Sequence, residues 1–205
     1  MVGSVSMLLI QIDSSVYERQ AVDNKKVHNF SITLPKIQSD LARDILKSEY
    51  NFEFLDMKAK RNEKNFEQGL IDKIVQFILE LGRGFAFVGR QYHLKVGKRD
   101  FYIDLLFYNI CLKSYVVFEL KVKSFEPEFV GKLEFYVAAI DDILKGKNDN
   151  ATIGILLCSD SDKEVQDKSI QCITKPIGVS TYKISKELPE ELRGIEGVKK
   201  LLEST

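Results

Sequence analysis

The chain has 205 residues, enough for one domain with a substantial core and a small appendage. Its 44% hydrophobic and 29% charged residues, with no low-complexity tract, exclude a disordered or fibrous chain. Lys plus Arg is 30 and Asp plus Glu is 30, so the net charge is zero; the basic excess frequent among nucleic-acid-binding proteins is missing, although local patches remain open and catalytic carboxylates lower the charge of any nuclease.

In chain order, the opening "MVGSVSMLLIQID" has a short apolar run with no basic region before it. It is too short to span a membrane, so neither a signal peptide nor a membrane helix is expected. Cys111, Cys158 and Cys172 are scattered, odd in number and without paired spacing, which argues against a disulfide framework or a structural zinc site and fits a reducing cytoplasm. "SSVYERQAVDN" and "PKIQSDLARDILKSEY" are polar with helical spacing; Leu41, Ile45 and Leu46 would form the apolar stripe, and Pro35 with Ser39 and Asp40 suits a helix start. Residues 1–50 are therefore expected to be a helical segment, too thin to close a core alone, ahead of a larger domain at 51–205.

That domain begins with the clearest helix, "RNEKNFEQGLIDKIVQFILELGRG", where Leu70, Ile71, Ile74, Phe77, Ile78 and Leu81 repeat with a period near 3.6 before Gly82 and Gly84. "FAFVGRQYHLKV", "FYIDLLFY" and "YVVFELKV" read as strands of an antiparallel meander. "FEPEFVGKLEFYVAAIDDILKGK" is a helix with Val130, Leu133, Val137, Ile140 and Leu144 on its buried face. "ATIGILLCS" has the continuous apolar run of a strand covered on both sides, returning parallel to "YVVFELKV" by a right-handed crossover. "SDKEVQDKSIQCI" is a surface helix, "IGVSTYKI" a strand, and "PEELRGIEGVKKLLES" a terminal helix interrupted at its glycines. The order predicts an α/β fold, a mixed sheet flanked by helices.

Two of these strands carry charge among apolar neighbours. Glu119 and Lys121 are two residues apart, so they share one face of their strand with Tyr115 and Val117. Asp104 lies in the preceding strand, on the opposite face from Phe101, Ile103, Leu105 and Phe107, and a hairpin of suitable register brings it beside Glu119. Two adjacent carboxylates repel, and either a proton or a cation neutralises them. A divalent ion that prefers hard oxygen ligands, Mg²⁺ above all, suits two carboxylates, waters and a substrate phosphate, and Lys121 on the same face could orient a water or stabilise charge on a phosphoryl group. On the residues alone the competing reading is a salt-bridged cluster on an exposed sheet face.

"ID" followed one strand later by "ELK" resembles the PD-(D/E)xK nuclease motif, with Ile103 in the place of the proline. The blocks "GRGFAFVGRQYHL", "FYIDLLFYN", "YVVFELK", "FEPEFVGKLEFYVAAIDD", "ATIGILLC" and "KPIGVSTYKI" followed by "LPEELRG" are similar to the YhcG-type family of PD-(D/E)xK nucleases. This resemblance implies a restriction-endonuclease-like core, DNA as substrate and Mg²⁺ dependence, with Mn²⁺ as a possible substitute. It makes Asp104, Glu119, the Leu120 carbonyl and Glu67 the expected metal ligands, Lys121 the residue that positions the attacking water, and Gln91 a further candidate for orienting water or phosphate. Family members carry a longer helical N-terminal domain, of which residues 1–50 would be the junction, so a protein partner could act through that region.

Arg90, Lys95, Lys98 and Arg99 cluster around the "VGKRD" turn, and Lys123 and Lys132 follow the motif; a solvated surface is the default, and a phosphate-steering DNA-binding rim the functional alternative. Tyr92, Tyr102, Tyr108 and Tyr136 are expected to pack rather than stack on bases, and His93 to have no catalytic role. The expectation is a cytoplasmic, metal-dependent endodeoxyribonuclease acting on branched or foreign DNA in recombination, repair or defence, with a homodimer suited to such substrates and no membrane contact. The alternative is a non-catalytic DNA-binding or assembly module that keeps the nuclease fold.

Overall fold

The computed structural model describes residues 26–55 and 62–184. Over these residues the chain runs through β1 (Val27–His28), α1 (Phe30–Thr33), α2 (Lys36–Ile45), β2 (Glu49–Asn51), α3 (Glu63–Asp72), α4 (Ile74–Leu81), β3 (Phe85–Val96), β4 (Arg99–Asn109), β5 (Ser114–Leu120), α5 (Glu128–Ile143), β6 (Ile153–Cys158), α6 (Lys163–Ile170) and β7 (Ile177–Lys183). The strands form one mixed sheet in the order β1-β7-β6-β5-β4-β3, with β2 also paired to β7. β3, β4 and β5 are the expected antiparallel meander, and β6 and β7 return parallel to β5. Val96 and Arg99 pair across a two-residue turn in which Gly97 takes φ +61°, a conformation that glycine adopts without steric cost. The expected C-terminal helix lies outside the described residues.

Both faces of the sheet are covered. Phe30, Leu46, Phe66, Leu70, Phe77 and Leu81 pack on Leu105, Phe107, Phe118 and Ile155 on one side. On the other, Val130, Leu133, Val137 and Ile140 of α5 pack on Leu106, Val117, Leu156 and Val179. Each of the six residues of β6 is buried, which explains its unbroken apolar run. α5 approaches β6 closely because position 154 is glycine: a Cβ there would stand 2.9 Å from both Leu133 Cγ and Val137 Cγ2.

Four features depart from the sequence expectations. β1 and β2 are strands of two and three residues, too short to show a period, and both add to the outer edge of β7. Among the described residues, those from 26 to 55 therefore share the sheet and core of the rest of the chain. In α2, Leu41 is 36% exposed; the inward face is set instead by Ala42 and by Gln38, whose Nε2 donates to Ser114 Oγ at 3.2 Å and to the Ala151 carbonyl at 3.0 Å. The single helix expected over 62–81 is two, with Lys73 between them at φ −114°, although Leu70, Phe77 and Leu81 remain fully buried as the period requires.

The fourth departure positions the site. Phe101 and Ile103 pack into the α5 layer, whereas Leu105 and Phe107 pack into the opposite layer. Strict alternation would keep all four on one face. The phase changes at Asp104, and beside it in β3 Gln91 has φ +41°, in the left-handed region. A residue held out of the β conformation shifts the alternation of its strand, as a bulge does.

Candidate active site

β4 and β5 pair from Asn109↔Ser114 to Leu105↔Phe118, and then the recorded pairing ends. β5 stays on β6: Glu119 and Leu120 pair with Leu156 and Leu157, and the Lys121 N–H donates to the Leu157 carbonyl at 2.8 Å. In the opening between β4 and β5, Asp104 replaces a backbone partner, and its Oδ2 accepts from the Leu120 N–H at 2.9 Å. Glu119 is fully buried beside it. Its Oε1 accepts from Lys121 Nζ at 2.8 Å and from Lys132 Nζ, on α5, at 2.6 Å. Among the described residues its Oε2 is buried with no hydrogen-bond partner.

The electrostatics follow from this crowding. Burial, and then the nearby charge of Glu119, push the Asp104 pKa up to about 6, against the opposing pull of the Leu120 N–H, Lys132 and Lys121. Burial alone would lower the pKa of Lys121, but the charge and hydrogen bond of Glu119, with Glu63 behind them, outweigh it and raise it. Lys132 is raised in the same way, its burial overcome by its hydrogen bond to Glu119. Both ammonium groups are thus held charged.

α3 closes the site from the opposite layer. Asn62 caps the helix by accepting from the Asn65 N–H at 2.8 Å, so that Glu63 and Glu67 fall one turn apart on the same side. Glu63 Oε1 lies 3.3 Å from Lys121 Nζ. Glu67 accepts a hydrogen bond from Gln91 Nε2, and the same Nε2 lies 3.3 Å from Asp104 Oδ1. The sequence-predicted Asp104, Glu119, Lys121, Gln91 and Glu67, with the Leu120 backbone, therefore converge. Glu67 reaches Asp104 only through Gln91, and among the described residues no group of three or more His, Cys, Asp or Glu side chains stands ready to hold a metal.

The basic residues divide. Lys132, expected on the rim, reaches into the centre. Arg90 donates to Gln68 Oε1 of α3 at 2.6 Å. Lys95, Lys98 and Arg99 are exposed at the far end of the β3–β4 hairpin, where Arg99 lies 5.3 Å from the Phe101 ring, and Lys123 is exposed just past β5. Sequence reasoning missed Glu63, one helical turn before Glu67, a spacing that could have found it. It also missed Tyr182, whose hydroxyl donates to the Lys121 carbonyl at 3.0 Å and which no local pattern marks. Tyr136, expected to pack, is buried, and its hydroxyl donates to the Tyr102 carbonyl at 2.9 Å.

The family described as the YhcG PDDEXK nuclease domain matches residues 43–195. This chain belongs to that family. Its fold is accordingly the restriction-endonuclease-like class, a mixed sheet flanked by helices. The YhcG-family chain is 30% identical over 190 residues to the protein named "Putative nuclease YhcG" of Escherichia coli (strain K12), covering 93% of this chain and 50% of that one. It thus spans about half the length of the curated relative it matches. Among solved structures it is similar to a repair endonuclease from Pyrococcus abyssi, with a TM-score of 0.44 at 16% identity over 59% of this chain and 47% of that one. It is also similar to the EndoMS-dsDNA2 complex, with a TM-score of 0.41 at 16% identity over 66% and 48%. Among the described residues no helix is long and apolar enough to cross a membrane.

Proposed function

We propose that this YhcG-family domain is a divalent-metal-dependent endodeoxyribonuclease whose reacting centre is Asp104, Glu119 and Lys121. The observation that carries the reading is the state of Glu119: one carboxylate oxygen is saturated by two ammonium groups, while the other is buried without a partner beside a second carboxylate. An unpaired buried carboxylate oxygen is costly, and a hard cation is a chemically suited partner for it. Asp104 and Glu119, with the Leu120 carbonyl and with Glu67 assisting through Gln91, would hold Mg²⁺ or Mn²⁺. Such an ion would polarise a phosphoryl oxygen and make a bound water more acidic.

The remaining work falls to the chain's own groups. Lys121, held charged by Glu119 and Glu63, faces the position where negative charge grows as water adds to phosphorus and the bond to the leaving oxygen breaks. Lys132 supplies a second fixed cation from α5. Gln91 orients the Asp104 carboxylate, and Tyr182 fixes the backbone from which Lys121 projects. DNA as the target, a homodimer of this chain and a protein partner acting through the N-terminal region belong to the same proposal.

The test is cleavage of supercoiled, linear, single-stranded and branched DNA by the purified chain in Mg²⁺ or Mn²⁺ and in chelator. Metal-dependent cutting is expected, with Asp104→Ala and Lys121→Ala each lowering the rate by about 100-fold or more. Cutting that persists in both variants, or its absence on every substrate and metal, would sink the reading.

A further inference from the structure

The β3–β4 hairpin extends beyond the helices that cover its base. Leu94 and Ile103, with Tyr92, Val96 and Phe101 beside them, turn toward α5, so the alternating side chains of the same arms face the other way. On that side Gln91 meets Glu67 of α3, and there the cover ends: Gln91, His93, Lys95, Asp100 and Tyr102 are all exposed. Tyr102 and His93 are paired in register, and their rings form a tilted pair with centroids 5.2 Å apart. Tyr102 is 51% exposed, too open to be counted as packing. Each of these two residues is two positions from Asp104 or Gln91 in its own strand.

We infer that the His93–Tyr102 step is a stacking platform for an unpaired base next to the cut phosphodiester, so that the site takes single-stranded DNA or a single-stranded segment of a branched molecule. Three observations point to nucleic acid as the occupant. Between positions 90 and 102 the chain carries Arg90, Lys95, Lys98 and Arg99 against the single acid Asp100, which complements a phosphate backbone. Asp100 is occupied by His93 Nε2 at 2.7 Å, a bond that also holds the imidazole in place against Tyr102. The backbone under the platform is fixed to the catalytic centre, because Tyr136 binds the Tyr102 carbonyl and its ring lies 5.3 Å from Lys132 Nζ, the group that reaches Glu119.

The geometry selects against duplex. In a duplex each base face is already stacked, whereas an unpaired base offers its face to an aromatic ring whatever its identity.

The inference rests on the nuclease reading for the position of the cut, but its test needs no catalysis. Binding of labelled single-stranded and blunt duplex oligonucleotides of one sequence is measured by fluorescence anisotropy in chelator, for the full chain and for Tyr102→Ala and Tyr102→Phe. Tyr102→Ala should weaken single-strand binding about tenfold, Tyr102→Phe should restore it to within a few-fold, and duplex affinity should not change, which also shows that the variants are folded. The inference is overturned if wild type does not bind single strands, if Tyr102→Ala binds them as wild type does, if phenylalanine fails to rescue, or if duplex and single-strand affinities fall together. Tyr102-dependent binding without cleavage on any substrate would leave the platform standing and defeat the nuclease reading; cleavage without Tyr102-dependent binding would do the reverse.

Discussion

Glu119 and Asp104 are neighbours with different surroundings. Glu119 has two ammonium groups on one oxygen, while Asp104 has one backbone N–H and a glutamine amide. Asp104 therefore bears the repulsion, and its pKa rises to about 6 from burial and from Glu119. In the unfolded chain the same carboxyl titrates near 3.9. The folded state thus favours the protonated form. Its contribution to stability is fully present below pH ~4 and is lost as the pH rises through about 6. Asp104→Asn imitates the protonated form and can still accept from the Leu120 N–H. In chelator, urea unfolding should find this variant more stable than wild type by on the order of 2 kcal/mol at pH 8, with the difference closing toward pH 4. Added Mg²⁺ should stabilise wild type and leave the variant behind, because only an intact pair of carboxylates gains from the ion. Equal stability of the two proteins at pH 8 in chelator would remove the electrostatic argument.

At the scale of elements, the hairpin β3–β4 changes face at one rung, and Gln91 is the residue that permits it. Its φ of +41° is uncommon for a side chain other than glycine, asparagine or aspartate and unfavourable for a β-branched one. Gln91→Gly should therefore keep the fold within about 1 kcal/mol and lose cleavage, because the amide between Glu67 and Asp104 is gone. Gln91→Val should lose cleavage and a further ~1–2 kcal/mol of stability, read as a lower urea midpoint. Similar stability in both variants would mean that the backbone there is not held as described. The same rung marks where sequence reading stops. The spacing of Glu119 and Lys121 is a period of two, and it survives folding because the backbone stays paired with β6 from Glu119 through the Lys121 N–H. The inward stripe of α5 is equally legible from Val130, Leu133, Val137 and Ile140. The face of Asp104 relative to Ile103 and Leu105 was not, because alternation holds only until a residue leaves the β region, and nothing in "GRQY" announces that Gln91 does. Lys132 was read as rim for a related reason: it flanks the apolar stripe, and only the length of its side chain carries the ammonium to Glu119.

At the scale of the molecule, residues 27–51 complete the sheet that carries the site. β1 and β2 follow one another along the outer edge of β7, on residues 178–179 and 181–183, and Phe30, Leu46, Tyr50 and Phe52 are fully buried. Phe52 alone contacts Phe66 at 5.9 Å, Phe77 at 5.5 Å and Tyr182 at 5.9 Å between ring centroids. Lys47, fully buried, pairs with Glu80 of α4 at 3.0 Å, and the Asn51 N–H donates to the same carboxylate at 2.8 Å. A chain shortened to begin at residue 53 would expose the outer edge of β7 and leave Glu80 without Lys47. Losing Phe30, Leu46, Tyr50 and Phe52 from the core removes about 2–5 kcal/mol for each large side chain, against a total domain stability of about 5–15 kcal/mol. Such a chain should lose near-UV circular dichroism and bind ANS, and cleavage should vanish with it, because Tyr182 on β7 no longer holds Lys121 in place. A milder version keeps every residue: a Cβ at Gly178 would stand 2.9 Å from both Leu46 Cδ atoms and 3.1 Å from Phe30 Cζ. Gly178→Ala should therefore cost about 1–3 kcal/mol by forcing α1 and α2 off β7. A shortened chain that melts cooperatively with intact near-UV signal would mean that the core closes without residues 26–52.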